Sequence, residues 1–352
     1  MAGILIITQK VDQDEQLLSF FIGWLSVFAQ HFERVTVGCL QKGEFSLSSN
    51  VSVVSFGKGA GLSKWRQLVN FYKLIIGRQH EYQSVFVHMN PIWVILGGWW
   101  WRIKGKKISL WYAHGTVSWK LRLAEKFAHV IFTSTSKGCR IKSNKLQIVG
   151  QGIDTDYFKV GSQPDSFSHT PRLVSIGRIA PSKDYETLIV AVKQLVAQGQ
   201  ALSVEIVGGI GVPEDQAYLA KLQALVRDNQ LEQIFVFKGA LPNKTILPIL
   251  QSADIFLNMG QTGSLDKAIL EAMACGTPVL SCNEALAEVL GVENSHLMYP
   301  KKDPQVLAQK IRMILQLTPE ERQKLSAKLR EVVVSNHNLP NLIKKISTTL
   351  AT

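Results

Sequence analysis

The chain alternates short aliphatic runs with longer segments of helical periodicity, and it does so twice. In the first half "GILIIT" (3–8), "RVTVGCL" (34–40), "VSVVSF" (51–56), "SVFVH" (84–88), "KISLWY" (107–112) and "HVIFTS" (129–134) read as strands. Amphipathic stretches such as "EQLLSFFIGWLSVFAQHF" separate them. After the polar segment "VGSQPDSFSHTP" (160–171) the pattern restarts with "RLVSIG", "SVEIVG", "IFVFKG", "DIFLNM" and "PVLSC". Strand–helix alternation implies parallel, doubly wound α/β sheets. Two such blocks imply two Rossmann-like domains, over 1–165 and 171–335, with 336–352 a terminal helix that can cross back to the first. A ligand is expected in a cleft between them, at the carboxyl ends of the strands.

The length of 352 residues suits two domains better than one core. Composition, at 46% hydrophobic and 19% charged, is that of a soluble globular protein. Cys39, Cys139, Cys275 and Cys282 have no CxxC spacing, which points to a reducing compartment and to neither zinc nor a disulfide framework. No apolar run approaches the roughly 18 residues of a membrane span. The N-terminal stretch reads as a buried strand, not a leader, so a cytoplasmic chain is expected.

Dinucleotide and P-loop chemistry are both disfavoured. The first strand–helix turn, "TQKVDQDEQ", has no G-x-G-x-x-G, and no G-x-x-x-x-G-K-[ST] occurs.

The net charge of +12 is uneven. Residues 1–170 hold 20 Lys/Arg and 10 Asp/Glu, whereas 171–352 hold 19 and 17. Residues 102–145 contain eleven basic side chains and one acid, Glu125. Such a field suits an anionic membrane surface, an acidic substrate or nucleic acid, although no nucleic-acid reading module accompanies it. "PIWVILGGWWWRIKGKKISLW" (91–111) sets five tryptophans beside this charge, as a membrane interface would. If that helix instead packs on a sheet, Trp93, Trp99 and Trp100 are core and Trp101 a rim residue.

"GSLDKAILEAMACGTPVLS" (263–281) holds Glu271 in an otherwise apolar helix. Ser264 reads as its N-cap, and Gly276 with Pro278 as its end. A buried acid near a helix C-terminus needs a partner. That partner is either Lys267, one turn earlier, or a ligand with hydroxyl groups. Upstream, "LVSIGRIAPSKDYETLIVAVKQL" (173–195) places Arg178 and Lys183 in the loop leaving a strand, with a helix beginning near Lys183. A guanidinium and an ammonium at a sheet mouth suit a diphosphate, and a carboxylate suits a ribose diol. The N–H groups at the start of the 264 helix suit an anion.

"VSIGRIAPSKDYETLIVA", "VEIVGG", "VFKGALPNKTILPILQSADIFLN" and "LEAMACGTPVLS", in this order, resemble the C-terminal domain of the retaining glycosyltransferases of family 4, which have the GT-B fold. "WYAHGTVS", "AHVIFTSTSKGCRI" and "VGQGIDTDYF" extend the resemblance over most of the chain. It implies a nucleotide-sugar donor, with Arg178 and Lys183 on the diphosphate and Glu271 on the ribose. Lys238 and Gly239 would meet the base mainly through backbone, and Ser264, Leu265, Asp266 and Lys267 would line the donor. Asp154 would lie in the hinge region. His114, after "KISLWY", would contact the transferred sugar, making it catalytic with Arg178 and Lys183. The implied acceptor is a saccharide or a lipid-linked one in envelope or polysaccharide synthesis, and no essential metal or cofactor is expected.

Two departures stand out. The family's E-x7-E motif has Gly263 at its first acid, so Asp266 or Lys267 is expected to share that role. The loop after the first strand has no glycine and carries Asp12 and Asp14, which become candidates for acceptor contact. The lost acid also fits a non-catalytic relative that only binds sugar nucleotides.

Overall fold

The computed structural model describes residues 3–15, 18–161, 170–242 and 245–351. Most of the anticipated 160–171 linker lies outside them. The chain forms two compact units: residues 1–152 with 338–352, and residues 153–337.

The first unit contains seven parallel strands in the order β3-β2-β1-β4-β5-β6-β7. They are β1 (Ile4–Val11), β2 (Val35–Lys42), β3 (Val51–Ser55), β4 (Ser84–His88), β5 (Lys107–Trp111), β6 (Val130–Thr133) and β7 (Leu146–Ile148). The near-continuous burial of β1 and β4 explains their unbroken aliphatic sequence: each is covered on both faces. One face packs α1 (Phe20–His31) and α12 (Leu339–Ala351) through Trp24, Phe28, Leu342 and Ile346. The other packs α2 (Lys64–Gly77), α3 (Pro91–Ile103) and α4 (Trp119–Phe127) through Phe71, Trp93, Trp101 and Leu121.

Three local expectations change here. Strand β1 runs on to Val11, so Lys10 is part of it, and α1 starts at Phe20 rather than near Glu15. Strand β7 has no counterpart in the sequence reading. On α3, Trp101 is fully buried and its Nε1 donates to the Tyr82 hydroxyl at 3.2 Å, whereas Trp99 is 46% exposed. The core and rim roles of these two tryptophans are therefore exchanged.

The second unit contains five parallel strands in the order β10-β9-β8-β11-β12. They are β8 (Arg172–Ile176), β9 (Ser203–Val207), β10 (Phe235–Gly239), β11 (Ile255–Asn258) and β12 (Val279–Ser281). Its helices are α5 (Tyr185–Ala197), α6 (Asp215–Asp228), α7 (Ile246–Gln251), α8 (Lys267–Ala274), α9 (Glu284–Leu290), α10 (Pro304–Leu315) and α11 (Pro319–Asn336). Strand order reverses at β8, between β9 and β11, where a doubly wound sheet opens its ligand crevice. The division between units falls at Gly152, earlier than residue 165, because Ile153 and Phe158 pack into this second core. Thr318 starts α11 with a capping box to Glu321.

Candidate functional site

The loops at the carboxyl ends of β8 and β11, with helix α8, carry most of the candidate residues. After β8, the Gly177 N–H donates to the Val207 carbonyl at 2.9 Å, and Ile179 N–H to Gly209 at 2.9 Å. The two loops are thus zipped together beyond the sheet. A side chain at Gly208 would begin 1.8 Å from the Gly177 carbonyl oxygen, so only glycine fits that crossing. Arg178 is exposed and lies over Gly211, where an added Cβ would stand 3.0 Å from Arg178 Cδ and 3.4 Å from Asp215 Oδ2.

Lys183 ends a 3-10 turn (Pro181–Lys183), and α5 itself begins at Tyr185, later than the sequence suggested. Asp184 takes a left-handed conformation at the joint, φ 48°. Its carboxylate accepts from Thr187 Oγ1 at 2.8 Å and from Gln261 Nε2 at 2.7 Å, which ties the β8 loop to the β11 loop. Lys183 Nζ donates to Asp266 Oδ2 at 2.7 Å.

Helix α8 begins at Lys267 with Asp266 in the cap position. Ser264 is not the N-cap: its hydroxyl is buried without a partner, and its carbonyl accepts from Asn283 Nδ2 at 2.6 Å. The Leu265 side chain is buried in the core of the unit, and Gly263 adopts φ +72°. Glu271 is 8% exposed, one turn after Lys267. Burial raises its carboxyl above the usual carboxylate range, and the Lys267 charge opposes that rise. Burial likewise pushes the Lys267 ammonium down to about 8, against the pull of Glu271 and Asp154. The two partners proposed for Glu271 are compatible, because an ammonium and a diol can share one carboxylate's lone pairs.

At the β10 end, the Gly208 N–H donates to the Gly239 carbonyl at 2.8 Å, and Gly239 has φ +68°. The Lys238 ammonium turns toward Glu205, at 3.8 Å, a carboxylate that Arg172 Nη2 also reaches at 2.7 Å. What Lys238 and Gly239 present beyond the strand is therefore mainly backbone.

In the first unit, His114 is exposed after β5, and its Nδ1 accepts from the Thr116 N–H at 3.1 Å. With Nδ1 accepting, Nε2 is the ring nitrogen left to donate. Asp12 pairs with Lys10 at 3.1 Å and accepts from the Asp14 N–H at 3.1 Å. Slight burial works to raise its carboxyl, but these two donors leave it below the usual value. A side chain at Gly43 would strike Asp12, which therefore packs against the neighbouring turn, while Asp14 is exposed.

Sequence reasoning missed Asn258 and Ser281, buried polar residues ending adjacent strands. The signal was available: each closes an aliphatic run with a group that must find hydrogen bonds. Among the described residues, no cluster of three or more His, Cys, Asp or Glu could hold a metal ion.

Residues 161–332 match the family model described as "Glycosyl transferases group 1". The chain is 28% identical over 214 residues to the putative colanic acid biosynthesis glycosyltransferase WcaL of Escherichia coli (strain K12), covering 58% of this chain and 51% of that one. It is 29% identical over 178 residues to the amylovoran biosynthesis glycosyltransferase AmsK of Erwinia amylovora, covering 49% and 42%. The chain thus spans about half the length of the curated relatives it matches. The crystal structure of Anabaena Alr3699/HepE in complex with UDP and glucose superposes with a TM-score of 0.77 at 17% identity, over 99% of both chains. Trehalose-6-phosphate synthase OtsA superposes at 0.74 and 11%, over 100% of this chain and 99% of that one. The fold is accordingly that of GT-B glycosyltransferases.

Proposed function

We propose that this chain is a member of the glycosyl transferases group 1 family, whose model matches residues 161–332, and that it moves a sugar, with retention, from a nucleoside-diphosphate sugar to a saccharide or lipid-linked acceptor in polysaccharide synthesis. The observation that carries the reading is one of position. Arg178, Lys183 and Glu271 all stand on carboxyl-end loops of one parallel sheet or on the helix that follows, inside the matched segment. A cation pair for a diphosphate and a carboxylate for a diol are thereby gathered around the topological switch point.

In front-face displacement the acceptor oxygen attacks on the side from which the nucleoside diphosphate departs. The protein then has to stabilise charge on the leaving group. Arg178, Lys183 and the first N–H groups of α8 serve that end, and His114 Nε2 donates to a sugar hydroxyl as charge develops. Asp12 and Asp14 face the acceptor. Gly263 favours a second reading, binding of the sugar nucleotide without transfer, which turnover separates from the first.

The test measures affinity and turnover separately. Arg178→Ala and Lys183→Ala are expected to weaken UDP, GDP or ADP by about 10–100-fold and the free nucleoside little, since a charge-assisted contact is worth roughly 1.5–3 kcal/mol. His114→Ala is expected to lower turnover and leave nucleotide affinity near wild type. Equal weakening of nucleoside and diphosphate would make the cations structural, and wild-type turnover would remove His114 from the site.

The first unit also has the surface for an anionic lipid interface. Trp65, Trp119 and Ile103 are 72%, 66% and 70% exposed, and the Lys104 ammonium sits 4.8 Å from the centre of the Trp100 ring. No helix among the described residues is long and apolar enough to cross a membrane, so contact would be peripheral. Lys106 is not available for it, because its ammonium donates to the Gln79 and Tyr82 carbonyls at 2.7 and 2.6 Å. Anionic liposomes are expected to pellet the protein at low salt and release it at high salt, and Lys104→Gln with Lys120→Gln and Arg122→Gln to reduce pelleting. Equal pelleting on neutral lipid would exclude this interface.

A further inference from the structure

Lys183 brings its own counter-ion to the place where the diphosphate is proposed to bind. Asp266 Oδ2 accepts from Lys183 Nζ at 2.7 Å and from Asn258 Nδ2 at 2.7 Å. The Asn258 amide has one workable orientation. Its Oδ1 accepts from the Gly260 N–H at 3.3 Å and from the Ser281 hydroxyl at 3.1 Å, so Nδ2 must face the carboxylate. Ser281 is fixed in turn, since its Oγ accepts from the Asn283 N–H at 3.0 Å. Asn258, Ser281 and Asn283 are all buried, so water does not compete for these bonds. Glycines wall the ion pair. A Cβ at Gly260 would fall 2.9 Å from Asp266 Oδ2 and 3.6 Å from Lys183 Nζ, and one at Gly177 would fall 3.2 Å from Lys183 Cε. The pair is a built feature of the loop ends and not a chance surface contact.

A phosphate that takes Lys183 therefore meets a fixed negative charge. Two effects oppose each other. Holding the lysine in advance saves rotamer freedom that binding would otherwise cost. The carboxylate, however, repels the ligand and has used one of the three ammonium donors. The rotamer saving is the same for every ligand, whereas repulsion grows with ligand charge. A free nucleoside diphosphate ends in a phosphate whose second ionisation lies near pH 6. At pH 7.5 it carries about one more negative charge at that end than a nucleotide sugar, where the oxygen is esterified.

We infer that Asp266 is a specificity-determining residue of the donor site, which disfavours the free nucleoside diphosphate relative to the nucleotide sugar and so hastens product departure. The inference rests on the reading of Lys183 as a diphosphate ligand.

The experiment titrates UDP, UDP-glucose, GDP and GDP-mannose into wild-type protein and Asp266→Asn. The asparagine keeps the shape of the side chain and an acceptor for Lys183. The free diphosphate that binds is expected to tighten about tenfold, one 1.4 kcal/mol step, and its sugar ester about threefold. Product inhibition of turnover strengthens accordingly. Equal tightening of both ligands, or weakening of either, overturns the inference. A second measurement follows pH. In wild-type protein UDP is expected to gain on UDP-glucose, relative to Asp266→Asn, as pH falls from about 7.5 to about 5.5 and its terminal phosphate takes up a proton. Arg178, Asp184, Lys267 and Glu271 lie on the same loops and on α8 and act more strongly on the more highly charged ligand, but they are common to both proteins, so the difference between the two isolates Asp266. The same change in both proteins, or a larger gain of UDP in Asp266→Asn, overturns the inference. Wild-type protein that binds none of the four ligands overturns the donor reading together with this one.

Discussion

Glu271→Ala is expected to weaken nucleotide binding by more than about 100-fold, and Glu271→Gln by about 10–30-fold. Each hydrogen bond from a ribose hydroxyl to a carboxylate is worth roughly 1.5–3 kcal/mol, and a diol makes two. The glutamine keeps one good acceptor and the alanine none. The alanine has a second effect inside the protein. It removes the charge that holds the Lys267 ammonium up, from a position where burial has already lowered it to about 8. An unfolded lysine titrates near 10.4, so the unfolded chain binds more protons between the two values and stability rises with pH across that window. Without Glu271 the folded value drops further, and the rise begins at lower pH than in wild type. Thermal unfolding followed from about pH 6 to 9 checks this, and adding Lys267→Met should remove the pH dependence. Unchanged nucleotide affinity in both Glu271 variants would end the ribose assignment, even if the stability profile moved as described.

Gly208→Ala is expected to be the most damaging single-methyl change in the second unit. The new Cβ would fall 1.8 Å from the Gly177 carbonyl oxygen and 2.7 Å from its carbon. Neither is a flexible side-chain end that can swing aside. The β8 and β9 loops would have to part, breaking the bonds from Gly177 to Val207 and from Ile179 to Gly209. A cost of about 3–5 kcal/mol is expected, the range of severe backbone and overpacking defects. In a scanning calorimeter this appears as a fall of about 10 °C or more in the transition of the second unit. Gly199→Ala is the control: that glycine has φ +82° but open space around it, so only the backbone penalty of about 1 kcal/mol applies. Equal losses from the two substitutions would contradict the close crossing.

The two parallel sheets were legible because their strands are covered on both faces and must be written in aliphatic residues. Strand β7 was not, since Leu146–Ile148 is short and mostly exposed and so leaves no apolar run. Local signals also misled where distant partners decide. Ser264 has the composition of an N-cap, but Asp266 stands nearer α8 and is held there by Lys183 and Asn258, whose positions no helix rule contains. On α3 a run of three adjacent tryptophans spreads around the helix. The position of Trp101 is settled by Tyr82, whose hydroxyl offers its indole an acceptor. Arg178, Lys183 and Glu271 could be singled out early because charged groups in apolar or glycine-rich surroundings are rare enough to need a reason. That Lys183 is already paired could not be read from spacing, as its partner lies 83 residues away.

The closing helix carries a further consequence, one of timing. Helix α12 belongs to the first unit, although the whole of the second unit precedes it in the chain. Leu339 and Leu342 close over Trp24 at Gly152, where an added Cβ would stand within 2.9 Å of all three. During synthesis the seven-stranded sheet emerges early, yet the apolar face of α1 has no lid until residues 339–351 follow. At about 5–20 residues per second that interval lasts on the order of ten seconds or more. A ribosome therefore carries a half-covered first unit while the second is made, and a chain stopped at His337 would retain all of the second unit while lacking a wall of the first.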